Sequence, residues 1–241
     1  MLPTTTAPMP LERWLRELQS AASPTFLLGG TGHLILSANE TILVQRRLES
    51  EILPQVLSSI GSRTLLILTG LAPGADHLFS RTAVAYARAR KISHRLVGLL
   101  PLPIAVMLDD WAEKKRADGH ATTHTQRGMQ LAEMEAERVA CDRVVHLMPP
   151  GTSEDSMHKL AFRQLQYQRL GACLAEQSDA LIAILRPNST IQPGGTAEVV
   201  KWRQQANSVP AAISTLAMRS HVPAHIGSLL IIDPELMERG P

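Results

Sequence analysis

Aromatic side chains are scarce: three Phe, two Tyr and three Trp make up 3% of the 241 residues. Modules that bind single-stranded nucleic acid stack bases on exposed rings, so the shortage argues against that class. An excess of one charge is also missing, with 24 Lys and Arg against 22 Asp and Glu, a net +2. The balance holds in each half: 13 basic and 10 acidic residues in 1–120, 11 and 12 in 121–241. Strong tracking of a phosphate backbone is therefore not expected. Cys141 and Cys173 are the only cysteines and form no C-x-x-C, so no disulfide framework is expected and a reducing, cytoplasmic setting fits. Long apolar runs are lacking too. The longest uncharged apolar stretch, Leu96 to Leu108, is broken by Pro101 and Pro103 and is shorter than the ~20 residues a membrane helix needs. The N-terminal MLPTTTAPMPLERW has no charged-then-apolar signal pattern, so neither export nor a membrane partner is expected. Hydrophobic residues nevertheless make up 44%, enough for a folded core.

What is present is a rhythm. Short apolar runs fall at Thr25–Leu28, Thr64–Leu68, Leu96–Leu100, Arg143–Met148 and Asp179–Leu185, with further strands expected at Val209–Ile213 and Leu229–Ile232. Helical stretches lie between them: Leu11 to Leu18, Asn39 to Ile60 with Asn39 as cap, Gly74 to Ala89, about 105 to 140 with a break near Asp118-Gly119, Ser156 to Glu176, and Gly195 to Ala206. Continuous apolar runs alternating with helices imply parallel strands buried on both faces. The predicted class is α/β: a Rossmann-like, doubly wound, mainly parallel sheet with helices on both faces. The organisation expected is an N-terminal helical extension (1–24), one Rossmannoid domain (25–214) and a C-terminal appendage (215–241).

Ligands of such sheets bind outside the carboxyl ends of the strands. Three glycine-rich turns are expected there. They are Gly29-Gly30-Thr31-Gly32-His33, Thr69-Gly70-Leu71-Ala72-Pro73-Gly74-Ala75-Asp76, and Pro193-Gly194-Gly195-Thr196-Ala197-Glu198. Glycine lets backbone approach a ligand, and the N–H groups of the following helix favour an anion. The candidate ligand-binding residues are Gly30, Thr31, Gly32, His33, Thr69, Gly70, Leu71, Gly74, Asp76, Gly194, Gly195, Thr196 and Glu198. Asp76 reads either as a ribose ligand or as a first-turn acid stabilised by the helix dipole. Glu198 reads the same two ways, and if the protein is an enzyme it is the catalytic candidate, as general base. His33 is a candidate for phosphate contact or proton donation. Asp179, at the amino end of its strand, is expected to serve structure.

Other chemistries find little support. The first turn lacks the third glycine of G-x-G-x-x-G, and no G-x-x-x-x-G-K-[ST] or G-x-S-x-G occurs. His120/His124 and His221/His225 have i,i+4 spacing, but Gly119 and Pro223 interrupt them and no Cys or acid completes either set, so no metal is expected. Lys114-Lys115-Arg116 and Arg88 to Lys91 read as solvated helix faces, and Met129, Met134 and Met148 as core filler.

These segments, in their order, resemble the SLOG superfamily, which includes the DNA-processing protein DprA, the LOG-type phosphoribohydrolases and many nucleotide-sensor domains. The resemblance is carried by TGLAPGADHL, by Gly32-His33, by LVGLLPLP followed by Asp110-Trp111, by Tyr167-x-x-x-Gly171 with Ser178 to Ala183, and by GGTAEVV. It spans roughly residues 25 to 214. Leu34 stands where the family usually has Arg, the run P-G-G-T-A-E differs from the LOG P-G-G-x-G-T-x-x-E, and Arg186 follows the fifth run, either replacing the lost cation or solvated. The resemblance implies a domain that binds ADP-ribose, cyclic ADP-ribose or an NAD-like ligand, with no obligatory cofactor. It also implies self-association and a separate effector protein, as in antiphage systems. The alternatives are a LOG-type nucleotide N-glycosidase and a DprA-like single-strand DNA binder. The first would use Glu198 or Asp76 on an oxocarbenium-like ribose.

Overall fold

A computed structural model describes residues 9–21, 23–117, 123–205, 208–215 and 228–235. In chain order the elements are β1 Met9–Pro10, α1 Leu11–Gln19, β2 Thr25–Gly32, α2 Ala38–Arg47, α3 Leu53–Leu57, β3 Thr64–Thr69, α4 Ala75–Ala89, β4 His94–Leu100, α5 Ile104–Ala117, α6 His124–Ala140, β5 Arg143–His146, α7 Glu154–Met157, α8 Leu160–Gln177, β6 Ala180–Ile184, α9 Thr196–Gln204 and β7 Ser228–Ile232. A π-helical turn, Leu48–Ile52, joins α2 to α3. Pro54 lies one turn beyond its start, cannot donate to the Ser50 carbonyl and crowds it, which is the setting in which a helix widens.

The strands form one seven-stranded sheet in the order β1-β5-β4-β3-β2-β6-β7, with every pairing parallel. This is a Rossmann-like doubly wound fold. From β2 the chain builds outward through β3, β4 and β5, then returns to lay β6 and β7 on the other side of β2. The order reverses between β2 and β6, and the crevice at their carboxyl ends is the topological switch point.

Alternation along the strands sorts the core into two faces. Phe26, Leu28, Leu65, Ile67, Leu96, Ile182 and Ile184 pack under Val44, Leu48, Leu53, Phe79 and Ala83 of the α2–α4 side. Leu27, Leu66, Leu68, Val97, Leu99, Val145 and Leu181 pack under Trp14, Leu15, Cys173, Leu174, Val199 and Trp202 of α1, α8 and α9. A third cluster closes the carboxyl end of β4 with Leu71, Leu100, Leu102, Met107, Trp111 and Met134. Among the described residues no helix is long and apolar enough to cross a membrane.

Two local readings differ from the expected ones. Asn39 is not the cap of α2. Ser37 is, because Ser37 Oγ accepts from Glu40 N at 3.1 Å while the Glu40 carboxylate accepts from Ser37 N at 2.6 Å, a capping box. Val209–Ile213 is not a strand. Ile213 N and Ser214 N both bond the Pro210 carbonyl at 3.0 Å, curling the segment, and β7 occupies the place beside β6. Both terminal segments contribute to the sheet: β1 pairs with β5 and β7 with β6.

Asp179 has the structural role expected of it. Its Oδ2 accepts from Leu27 N at 2.8 Å while its own N–H donates to the Leu27 carbonyl at 2.7 Å, pinning β6 to β2 at their amino ends. Asp142 repeats the device on Leu96, at 2.7 and 2.9 Å, pinning β5 to β4.

Candidate functional site at the carboxyl edge

The first glycine segment is strand, not turn. β2 continues through Gly29, Gly30, Thr31 and Gly32, which pair with Leu181, Ile182, Ala183 and Ile184 of β6. Packing requires these glycines. A Cβ on Gly30 would stand 2.0 Å from the Phe79 ring, and one on Gly32 would stand 2.4 Å from Ala75 Cβ. The left-handed freedom of glycine is used instead at Gly74 (φ +82°) and Gly194 (φ +74°).

The second segment is a turn pressed against the end of β2. A Cβ on Gly74 would fall 2.3 Å from the Leu34 carbonyl oxygen, and Ala75 N donates to the His33 carbonyl at 3.0 Å. The buried Asp76 carboxyl accepts the backbone N–H groups of Ala72, Gly70 and Gly32 and so ties the two segments together. Burial pushes its pKa up to about 7 against the pull of those three bonds. The first N–H of α4 is thus bonded within the protein, and the Asp76 carboxyl fills the cluster of N–H groups from Ala72, Gly70 and Gly32. Leu71 holds the left-handed conformation (φ 59°), which costs a branched residue roughly 1–2 kcal/mol. Thr69 Oγ1 accepts from its N–H at 3.3 Å, and His77 Nε2 lies 3.0 Å from its carbonyl.

The third segment caps α9. Glu198 folds back so that Oε2 accepts Gly194 N at 2.7 Å, and Gln168 Nε2 donates to Oε1 at 3.1 Å. A Cβ on Gly194 would meet Tyr167 Cβ at 2.4 Å, so the turn rests on α8. The same stretch of α8 reaches the second segment, where Leu170 Cδ2 lies 2.8 Å from the position of a Gly70 Cβ. Tyr167 OH donates to Asp110 Oδ2 at 3.1 Å. Arg163 Nε, 2.5 Å from Asp110 Oδ1, makes an ion pair without hydrogen-bond alignment. Burial, then the Asp110 charge, raises the Tyr167 phenol far above its ordinary value.

The switch point joins His33 and Arg186 to Ser189 and Glu40, two residues that motif reading passed over. His33 N donates to the Ile184 carbonyl at 3.3 Å. His33 Nε2 accepts from Arg186 N at 2.9 Å and lies 3.1 Å from Ser189 Oγ. Arg186 is paired rather than a free cation: Nη2 bonds both Glu40 oxygens at 2.7 and 2.9 Å, and Nε lies 3.5 Å from Glu235. The signal for Glu40 was the S-x-x-E spacing of the capping box; nothing local in the sequence announces its partnership with Arg186.

The candidates thus divide. Gly30, Thr69, Gly70, Leu71 and Asp76 are buried and build the edge. Thr31, Gly32, His33, Gly74, Gly194, Gly195, Thr196 and Glu198 are partly exposed on it. The hydroxyls of Thr31 and Thr196 have no hydrogen-bond partner among the described residues, and Thr196 and Ala197 open α9, where N–H groups lack intrahelical partners. Two cavities of about 400 and 390 Å³ lie elsewhere, at the amino ends of the strands: one beside Arg88, His94 and Glu137, the other beside Glu17, Arg95 and Arg143. Helix C-termini gather at that edge of a parallel sheet, and their negative dipole ends suit those arginines.

No group of three potential metal ligands occurs among the described residues. His120, His221 and His225, and the side chains of Lys114, Lys115 and Arg116, lie outside what the structure describes. Burial raises both thiols, Cys141 and Cys173, to about 12, so neither is a reactive thiolate. No protein-family model matches the chain, and no curated protein matches it.

Proposed function

We propose that this chain is a binding module for a nucleotide-derived ligand of the ADP-ribose, cyclic ADP-ribose or NAD type. One observation carries the reading: at the β2/β6 switch point, the Thr31 hydroxyl, the Thr196 hydroxyl and the first N–H groups of α9 have no hydrogen-bond partner among the described residues. Hydroxyls and helix N–H groups suit ribose and phosphate oxygens. The anionic part of the ligand is assigned to α9, whose start carries the Thr196 hydroxyl, rather than to α4, where Ala75 N is bonded to the His33 carbonyl and the buried Asp76 carboxyl stands in the first turn. Binding is favoured over N-glycosidic hydrolysis because the Glu198 carboxylate is engaged by Gly194 and Gln168. Self-association and action on a separate effector protein, in the cytoplasm and in antiphage defence, complete the proposal. Those parts rest on the sequence resemblance.

Calorimetry against ADP-ribose, cyclic ADP-ribose isomers, NAD and AMP tests it. Binding of at least one, weakened by Thr196→Val, is the expected result. Silence across the whole panel overturns it. Incubation with nucleoside monophosphates should release no free base.

A further inference from the structure

The amino edge of the sheet, opposite the glycine segments, carries a pocket of its own. Parallel register sets its floor. Leu66 of β3 aligns with Arg95 of β4, and Val97 of β4 aligns with Arg143 of β5. Aligned residues of neighbouring strands share a face, as do residues two apart on one strand, so all four side chains turn towards α1. Thr25 aligns with Thr64 and adds a rung of hydroxyls beside them. Trp14 and Leu18 of α1 stand over the space, a cavity of about 390 Å³. A volume of that size holds a small organic molecule.

The lining divides into an apolar body and a cationic mouth. Trp14, Leu66 and Val97 are buried, and Leu18 packs beside them. Arg95 is exposed, and its guanidinium has no hydrogen-bond or ion-pair partner among the described residues. The hydroxyls of Thr25 and Thr64 have none either. Arg143 is held loosely, its Nη2 lying 4.0 Å from Glu17 Oε2.

The two acids of the lining are engaged. Glu17 Oε1 accepts from Arg13 Nε at 3.1 Å, and Asp142 Oδ2 accepts from Leu96 N at 2.7 Å. The end of α1 does not consume the guanidiniums. Its Arg16 and Leu18 carbonyls accept from Ser20 N and Ala21 N, and the Glu17 carbonyl accepts from Ser20 Oγ at 3.2 Å. A guanidinium carries five N–H donors in a fixed fork, which matches the oxygens of a carboxylate or a phosphate.

We propose that this pocket is a second ligand site, for an organic anion with an apolar body. The carboxylate or phosphate of the ligand lies on Arg95 and Arg143, and its body lies over Leu66 and Val97 beneath Trp14. Thr25 and Thr64 offer hydroxyls to a further polar group. β3 alone puts about 17 Å between Thr64 here and Thr69 at the carboxyl edge. The site is therefore separate from the nucleotide site proposed above and stands without it.

Calorimetry of the full chain with naphthylacetate, naphthyl phosphate and the neutral naphthylacetamide tests the assignment. At least one of the two anions should bind, and the tighter of them identifies the headgroup. The amide has the shape of the acetate without its charge and should bind about tenfold more weakly or not at all. Arg95→Gln keeps donors, removes the charge and should weaken the anion about tenfold. Arg88 lines the other cavity of this edge, so Arg88→Gln should leave the affinity unchanged. Both arginines are exposed, so neither substitution disturbs the core. Saturating ADP-ribose should not displace the anion. Binding of neither anion at millimolar concentration overturns the proposal. So do equal affinities for the acetate and the amide, a loss in Arg88→Gln in place of Arg95→Gln, or displacement by ADP-ribose. Failure of every nucleotide to bind leaves the anion titrations unaffected, so the two readings fall separately.

Discussion

Glu40 grips Arg186 with both carboxylate oxygens while its own backbone closes the capping box of α2, so one side chain joins the start of α2 to the end of β6. Burial alone would raise the carboxyl, but the Ser37 N–H and the Arg186 guanidinium outweigh it and hold Glu40 below the ordinary carboxylate range. A depressed folded-state pKa means stability that is present above the unfolded value, near 4.5, and is lost as pH falls through the folded value. Glu40→Ala should lower stability at pH 7 by about 2 kcal/mol, since a charge-assisted bond and a cap are lost together. Arg186 is 30% exposed, so water recovers part of the pair. Urea midpoints at pH 7 and at acid pH check this: the gap between wild type and variant should narrow as pH falls.

Asp76 carries the opposite sign. Its folded-state pKa, about 7, lies above the ordinary 3.8, so the native state holds the extra proton between those values. Its contribution to stability is complete below about 4 and declines as pH rises towards 7. Subtracting the Asp76→Asn melting curve from that of wild type should isolate a downward slope over pH 4–7. A difference that does not vary with pH would remove Asp76 as its source.

Gly30→Ala should destabilise by about 1–3 kcal/mol, because the new methyl lands on the Phe79 ring and β2 is fixed by neighbours on both sides. Phe79→Leu in the same chain should recover part of the loss, giving a coupling energy that a double-mutant cycle can measure. Gly61→Ala meets open space but a φ of 59°, and should show only the backbone strain of about 1 kcal/mol.

Gln166 is wholly buried in α8, and neither its Nε2 nor its Oε1 has a partner among the described residues. Burying an unsatisfied amide is unfavourable by about 1–3 kcal/mol. Gln166→Met, close in volume and without polar groups to satisfy, should therefore raise the melting temperature. A lower one would show that the amide is satisfied in solution, by water or by a ligand.

The strands were legible because each central strand is buried on both faces: TLLIL and DALIAI have no polar side to disguise them. The glycines were legible as a cluster but not by purpose. Whether Gly30 serves a turn or makes room for Phe79 depends on a ring 49 positions away, and no local pattern carries that. The same distance problem hid Arg186, whose partner Glu40 is 146 residues upstream, and His77, whose acceptors lie on a turn and on α6. β1 escaped notice because two residues, Met9 and Pro10, have no periodicity to read. Glu198 does stand in the first turn of α9, one of its two readings; what could not be read is that Gln168 and Gly194 engage it.

The sheet order also governs what can be built onto this chain. β1 and β7 are its two outermost strands, six inter-strand spacings apart, or about 29 Å. Joining their ends by circular permutation would need a linker that crosses the whole width of the molecule. Fluorophores placed at Met9 and Ile232 would report that width directly.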